Sequence, residues 1–342
     1  MGVDVGSREI RVISIKTTPT RGKVQHAGAV LMPDNVIDNG VIVDPGRFGG
    51  VLNQLVIDMG ITQRRAVAAI TGKHVVTRYL KMPLMPANEI EAALRWEAGK
   101  FTSVPEEDLI TEYINFGSSG GQDKQLDILL VAVPKKYLYQ YYEAFSLAGL
   151  ELVVIDIVPL ALGRLFRYTK TGNEPVALID IGAGTTNVVV MDRKRLEFSL
   201  SLNIGGDFIT NVIASELGVG VSSAEQMKLT KLEAPLIRNA NDDNARVNHA
   251  AVEGIKKLLH EVGKALDYYK MQSQGKVVGE VFLTGGTAKM IGLTKYIENH
   301  LGLKVSLARP EFSLLQNEVS GSEKGLDPSW AVAAGLALRE VK

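Results

Sequence analysis

The chain has 342 residues, 38 basic residues against 38 acidic ones, 46% apolar residues, 34 glycines and no cysteine. That length favours more than one domain, and the balanced charge removes any global electrostatic case for nucleic acid or an anionic membrane. Without cysteine there is neither a disulfide nor a thiolate metal site, which fits a reducing compartment.

No apolar run reaches the roughly 18 residues a membrane span needs. The longest, near 128–133 and 152–163, are broken by charge or proline. No signal peptide is visible. The opening "MGVDVG" reads directly as a strand, which leaves a trimmed N-terminus open. His26, His74, His249, His260 and His300 are scattered without metal-ligand spacing.

In chain order, residues 2–31 read as three strands around a Gly-Ser turn. Asp44 and Pro45 announce a helix with Phe48, Leu52, Leu55 and Val56 on one face, and "RAVAAITG" follows as a strand. Residues 75–155 read as an inserted α/β unit in the order helix, strand, strand, helix, strand. Its first helix has Asn88 as cap and Ile90, Leu94 and Ala98 on one face. In "YLYQYY", Tyr137, Tyr141 and Phe145 share a helix face that suits either core packing within the insertion or a partner surface.

The second half begins with "VALIDIG", "TNVVVMD" and "RLEFSLSLN", three strands like those at the start. "RNANDDN" reads as a surface loop. The longest helix follows, with Ile255, Leu258, Leu259, Val262, Leu266 and Tyr269 in one stripe. A strand into "TGGT", a helix at "GLTKYIENHLG" and a closing helix complete the chain.

The two openings echo each other. "GVDVGSREIRVISI" and "LIDIGAGTTNVVVM" share apolar–Asp–apolar–Gly–turn–strand, so Asp4 matches Asp180 and Gly6 matches Gly182. Two like halves facing each other leave a cleft. Gly-rich hairpin turns expose consecutive backbone N–H groups and let a phosphate approach closely. Gly6 with Ser7, and Gly182 with Gly184, Thr185 and Thr186, are therefore candidate phosphate cradles. An Asp beside phosphate suits a cation rather than the phosphate itself, so Asp4 and Asp180 are candidate Mg²⁺ holders, acting through waters. A P-loop is absent, because "GKH" at 72–74 lacks the hydroxyl residue and its upstream Gly. A Rossmann turn is absent too, because a strand, not a helix, follows the glycines.

The ordered set resembles the superfamily of ATPases that holds actin, the DnaK-type chaperones and FtsA, across almost the whole chain. "GVDVGS" and "LIDIGAGTTNVVVM" look like its two phosphate loops, and "VFLTGGTAKMIGL" like its adenosine motif. "VVIDIVPLALGRL" and "SWAVAAGLALRE" look like its two hinge helices. The insertion, with "SLNIGGDFITNVI" and "LLHEVGKALDYYKMQ", is most similar to the PilM family of type IV pilus assembly proteins.

The resemblance implies an α/β actin-like fold with two similar halves around a nucleotide cleft and an FtsA-like inserted subdomain. Its segments would be 1–74 and 156–175 (subdomain 1A), 75–155 (inserted subdomain 1C), 176–204 and 273–342 (2A) and 205–272 (2B). It also implies ATP with Mg²⁺. Asn187, Gly205 and Gly206 would join the phosphate site, with Asp207 capping the next helix. Gly285, Gly286 and Thr287 would line adenine and ribose, and Glu225 with Lys228 and Glu261 with Lys264 would contact the nucleoside. For those four, an ordinary surface ion pair at i,i+3 is the competing reading. Asp156 is the positional candidate for orienting the attacking water, or else a helix cap, so at most slow hydrolysis is expected. Ala183 replaces a glycine frequent in the superfamily.

The family further implies a cytoplasmic, membrane-peripheral component of the pilus platform. It would grip the N-terminal cytoplasmic peptide of an inner-membrane PilN-like protein, alongside other platform proteins. The alternatives are an FtsA-like or filament-forming ATPase and, less favoured, a sugar-kinase-type phosphotransferase. No amphipathic membrane tail of the FtsA kind is seen, so membrane recruitment would come through a partner.

Overall fold

The computed structural model describes residues 1–17, 22–38, 40–72, 74–118, 125–166, 174–193, 195–230, 243–308 and 326–339. β1 (Gly2–Val5), β2 (Glu9–Thr17) and β3 (Gly22–Leu31) form an antiparallel meander. A two-stranded ribbon, β4 (Ile37–Asp38) with β5 (Val41–Ile42), leads into α1 (Pro45–Asp58). The Asp44 side chain accepts the Arg47 N–H at 3.0 Å and proline opens the helix, so its start is set as the sequence reads. Phe48, Leu52, Leu55 and Val56 are buried. β6 (Arg65–Ile70) then lies parallel beside β1.

β7 (Val76–Pro83), α2 (Ala87–Gly99), β8 (Leu109–Ser118) and β9 (Gln125–Pro134) form a separate layer, a three-stranded antiparallel sheet in the order β7-β9-β8. Ile90, Leu94 and Ala98 of α2 pack on it, as their spacing predicts. The sequence reading lacked β7, and the reason is physical: Val76, Leu80 and Met82 line one face, but Arg78 interrupts the alternation and none of the strand's residues is fully buried. Asn88 does not cap α2, because Pro86 precedes the helix and Asn88 lies inside it.

α3 (Lys135–Leu147) leaves this layer and joins the first half. Tyr141, Ala144 and Phe145 are buried in the core that also holds Phe48, and the Phe48 and Phe145 rings sit 5.9 Å apart. The tyrosine-rich face therefore packs into the first half, not into the insertion as the spacing suggested. Tyr139 and Tyr142 remain exposed. β10 (Glu151–Ile157) pairs parallel with β6.

α4 (Val158–Phe166) crosses to the second half. β11 (Val176–Ile181), β12 (Thr186–Asp192) and β13 (Arg195–Leu202) repeat the meander. α5 (Gly206–Leu217), α6 (Val221–Thr230) and α7 (Asp243–Gln272) form a helical unit. Ile255, Leu258, Leu259, Val262 and Tyr269 of α7 are buried, with Leu266 packed beside them. The loop expected at 238–244 lies mostly outside the described residues. β14 (Glu280–Thr284), α8 (Leu293–Leu301), β15 (Lys304–Leu307) and α9 (Ala331–Ala337) complete the chain.

The two large sheets run β3-β2-β1-β6-β10 and β13-β12-β11-β14-β15. Each is a three-strand meander followed by two parallel strands, so the echo in sequence is an echo in topology. The halves join where α4 packs on α9, and the contact admits no side chain at Gly335, whose Cβ would overlap the Ala161 carbonyl oxygen. Arg164 Nε also donates to the Gly335 carbonyl at 3.0 Å. A second tie lies at the insertion, where Arg195 of β13 pairs with Asp127 of β9 at 2.7 Å and stands over the Phe116 ring.

Gly335→Ala is expected to destabilise the fold by about 1–3 kcal/mol, because a backbone carbonyl cannot move aside for a methyl group. Gly263→Ala in α7, where a Cβ meets nothing within 4 Å, is expected to stabilise by roughly 0.5–1 kcal/mol. Urea unfolding of both variants checks the pair; equal effects would show that the hinge is looser than its contacts.

Candidate functional site

The turns of the two meanders close in the same way. The Gly6 N–H donates to the Glu9 carbonyl at 3.1 Å, and the Gly182 N–H to the Thr185 carbonyl at 2.9 Å. A Cβ on Gly6 would come 2.7 Å from the Glu9 oxygen, and one on Gly182 would come 3.0 Å from the Thr185 oxygen, so both turns need glycine. The turns also meet: a Cβ on Gly184 would lie 3.1 Å from Ser7 Oγ. Ser7 is exposed and Thr185 half-buried at the tips.

Behind each turn sits an aspartate at a matching register. Asp4 pairs with Arg11 across β1–β2, and Asp180 with Asn187 across β11–β12. Thr284 Oγ1 donates to Asp180 at 2.7 Å and Asn187 Nδ2 at 3.2 Å, while Ser201 Oγ holds the Asn187 carbonyl oxygen at 2.6 Å. Burial raises the Asp180 carboxyl above its ordinary range, and these two donors only partly offset it. Arg11 Nη1 is 3.8 Å from Asp4 Oδ2, and the Nη2 of the same guanidinium is bonded to Glu9. Burial pushes Asp4 up to about 7, Arg11 works against this, and the Asp180 and Glu9 charges add to it.

The second turn is buttressed from the other side. The N–H groups of Gly206 and Asp207, at the start of α5, donate to the Gly182 and Ala183 carbonyls at 2.9 Å each. Thr287 Oγ1 also donates to the Gly182 carbonyl, at 3.1 Å. A Cβ on Gly206 would overlap Thr287 Oγ1, and one on Gly205 would overlap the Ala183 carbonyl. This glycine pair thus lets α5 reach the loop, and the Gly206 N–H is spent on it. Lys228 is buried and holds the Gly206 carbonyl at 3.1 Å, Thr210 Oγ1 at 2.9 Å and Glu225 at 2.7 Å. Burial lowers Lys228 and works to raise Glu225, but Lys228, Thr210 and Arg8 hold Glu225 below its usual range.

Several sequence-predicted roles change. Thr186 Oγ1 is buried and donates to the Ile204 carbonyl at 2.7 Å, and Asn187 is buried against Asp180, so these two side chains order the loop rather than line its open face. Asp207 does not cap α5; its carboxylate meets Arg8. Gly285, at φ +89°, lies against the Ile181 carbonyl, whereas a Cβ on Gly286 would meet open space.

Asp156 is tied up at the hinge. One oxygen accepts the Ile157 N–H at 2.8 Å, the other is bonded by Arg164 and, at 2.8 Å, by Arg339, making it a hinge ion cluster. Glu261 and Lys264 pair with each other at 2.9 Å on the solvent side of α7, the ordinary i,i+3 outcome.

Residues that sequence reasoning missed are Arg8, Arg11, Thr210, Ser201 and Thr284. For Arg11 and Thr284 a signal existed, since strand register alone sets them opposite Asp4 and Asp180. Among the described residues no group of three or more metal-binding side chains occurs, and no helix is long and apolar enough to cross a membrane.

Two sheets of equal order, hinged by a helix pair and closed by two facing glycine turns, define an actin-like fold of the FtsA-like branch. The chain is similar to the solved PilM-PilN type IV pilus biogenesis complex, at 23% identity and a TM-score of 0.86 over 98% of this chain and 97% of that one. It is also similar to MreB5 of Spiroplasma citri bound to ADP, at 14% identity and a TM-score of 0.51 over 97% and 93%. The cell division protein FtsA of Bacillus subtilis (strain 168) is 24% identical over 357 residues, 91% of this chain and 79% of that protein. The family described as type IV pilus assembly protein PilM matches residues 2–341, and the chain belongs to that family.

The raised Asp4 carboxyl has a stability signature. An unfolded Asp loses its proton near 3.8, whereas the folded chain keeps it up to about 7. Folding stability therefore falls as pH rises through that window, and above it the fold carries the full cost of the buried charge. Asp4→Asn is expected to unfold at higher urea than the parent at pH 8, with the gap narrowing at pH 5. A gap that stays constant with pH would place the Asp4 carboxylate in water.

Proposed function

We propose that the chain is an ATP-binding, cytoplasmic component of the type IV pilus inner-membrane platform, with at most slow ATPase activity. It docks the N-terminal cytoplasmic tail of a PilN-like membrane protein. The observation that carries the nucleotide reading is the meeting of Ser7 with Gly184, one glycine turn from each half. Exposed Ser7, Thr185 and the backbone of both turns would hold the phosphates, and the open space at Gly286 would admit the adenosine.

The acids fit Mg²⁺. Burial raises the proton affinity of both Asp4 and Asp180, the Asp180 charge adds to that of Asp4, and a divalent cation with phosphates would satisfy both charges. When bound, the ion would supply charge neutralisation at the phosphates. Thr284 and Asn187 orient Asp180 for this, and Arg11 orients Asp4. Turnover would be slow because the positional candidate, Asp156, is engaged by two arginines at the hinge.

Partner docking rests on family membership and on the layer that β7, α2, β8 and β9 add to the first half. Rotation of the halves about α4 and α9 would reach that layer through the Arg195–Asp127 pair.

Asp180→Ala is expected to lower ATP affinity at least about tenfold, roughly 1.4 kcal/mol, while circular dichroism stays unchanged; calorimetry reads it, and parental affinity would remove Asp180 from the site. Val76 and Ala132 are paired neighbours across β7–β9, so residues 76–134 can be replaced by a short glycine-serine linker. That variant is expected to keep ATP binding and lose retention of a synthetic PilN-type N-terminal peptide. Full peptide retention would move docking off the insertion.

A further inference from the structure

Next to Ser7 stands a charge that the phosphate reading leaves unused. Arg8 belongs to the first turn, with its carbonyl held by the Met32 N–H at 2.8 Å, but its side chain leaves the first half altogether. Nη2 is 2.6 Å from Asp207 Oδ1, Nε donates to the same oxygen at 2.7 Å, and Nη1 is 3.0 Å from Glu225 Oε1. Asp207 lies in the first turn of α5 and Glu225 on α6, so one guanidinium binds two elements of the opposite half.

Glu225 is held without Arg8, and Asp207 is anchored through its backbone. The Asp207 N–H is pinned to the Ala183 carbonyl at 2.9 Å. Glu225 Oε2 takes Lys228 Nζ at 2.7 Å as well as the Thr210 hydroxyl, and Lys228 is buried. An isolated surface ion pair contributes little because two floppy side chains must be ordered. Here Glu225 is already ordered and Asp207 is anchored through its backbone, and a planar guanidinium with several donors matches them. The bonds also sit at the mouth where the two phosphate turns meet, so the halves cannot part there without breaking them.

We propose that Arg8 is a positioning residue that clamps the cleft shut across Asp207 and Glu225 and thereby sets how long a bound nucleotide stays. This rests on the nucleotide reading above. The clamp acts on release more than on capture, because its bonds join the two halves and must break before the cleft can open to let a bound nucleotide leave. It is also salt-sensitive, since the Arg8 and Asp207 side chains are 35% and 38% exposed.

The test is release of radiolabelled ATP, with magnesium, from the full chain after a chase with excess unlabelled ATP. Arg8→Ala is expected to release about tenfold faster, with the association rate changed much less. Arg8→Lys should fall between, having the charge without the fork. Asp207→Asn should also speed release, and the double variant Arg8→Ala/Asp207→Asn should release no faster than Arg8→Ala. Raising salt from about 0.05 M to about 0.5 M should speed release from the parent and leave Arg8→Ala nearly unmoved.

Parental release rates in Arg8→Ala, or additive effects in the double variant, would overturn the clamp while leaving nucleotide binding intact. Absence of saturable ATP binding by the parent would overturn the nucleotide reading and the clamp with it.

Discussion

Two carboxylates at matching ends of matching strands, Asp180 buried and Asp4 half-buried, are the constraint on which the rest of the site depends. Neither Asp4 nor Asp180 sits comfortably: burial raises the proton affinity of both, and each half answers with a different partner. The second half supplies neutral donors, Thr284 and Asn187, the latter held by Ser201. The first half supplies Arg11, shared with Glu9. A fold built for stability alone would place apolar residues there. Keeping both acids costs free energy in the folded chain, and a cation with polyphosphate would return it on binding. α5 is drawn onto the second turn by a different interaction: its first N–H groups donate to the Gly182 and Ala183 carbonyls.

The duplicated architecture was legible because its signals are local. Apolar–Asp–apolar–Gly followed by a strand specifies a hairpin and its register, and doing so twice specifies two meanders. The helix stripes at Phe48–Val56, Ile90–Ala98 and Ile255–Tyr269 were legible for the same reason. What stayed hidden depends on tertiary partners. β7 has no fully buried residue, and Arg78 interrupts the alternation of Val76, Leu80 and Met82. Tyr141 and Phe145 could have packed in either direction, and only the placement of α1 sends them to Phe48. Asp156 looks like any acid before a proline until Arg164 of α4 and Arg339, just beyond α9, converge on it. Arg8 looks like a solvated turn residue until the opposite half is in place. Glu225 with Lys228 and Glu261 with Lys264 share one spacing, yet the first pair is buried beside the loop and the second faces solvent.

Two arginines now span the halves at different places. Arg8 does so at the mouth of the cleft, and Arg195 does so at the insertion. Between them the backbone of α9 rests directly on that of α4 at Gly335 and Ala161. Helices in such contact slide poorly but pivot readily. A change in one ion pair would therefore reach the other as rotation, which would give the proposed nucleotide at one end and the proposed peptide at the other a common mechanical route.

The meeting of the two turns has one more consequence. A Cβ built on Gly184 lies 3.8 Å from the Ser7 Cβ, the spacing of a relaxed disulfide, and the Gly184 backbone is outside the left-handed region that would resist a side chain. The natural chain has no thiol to compete. A sulfur placed at each of these positions would find only the other, so the molecule offers a covalent staple, reversible by mild reductant, with which the open and shut forms of the cleft can be held apart and compared.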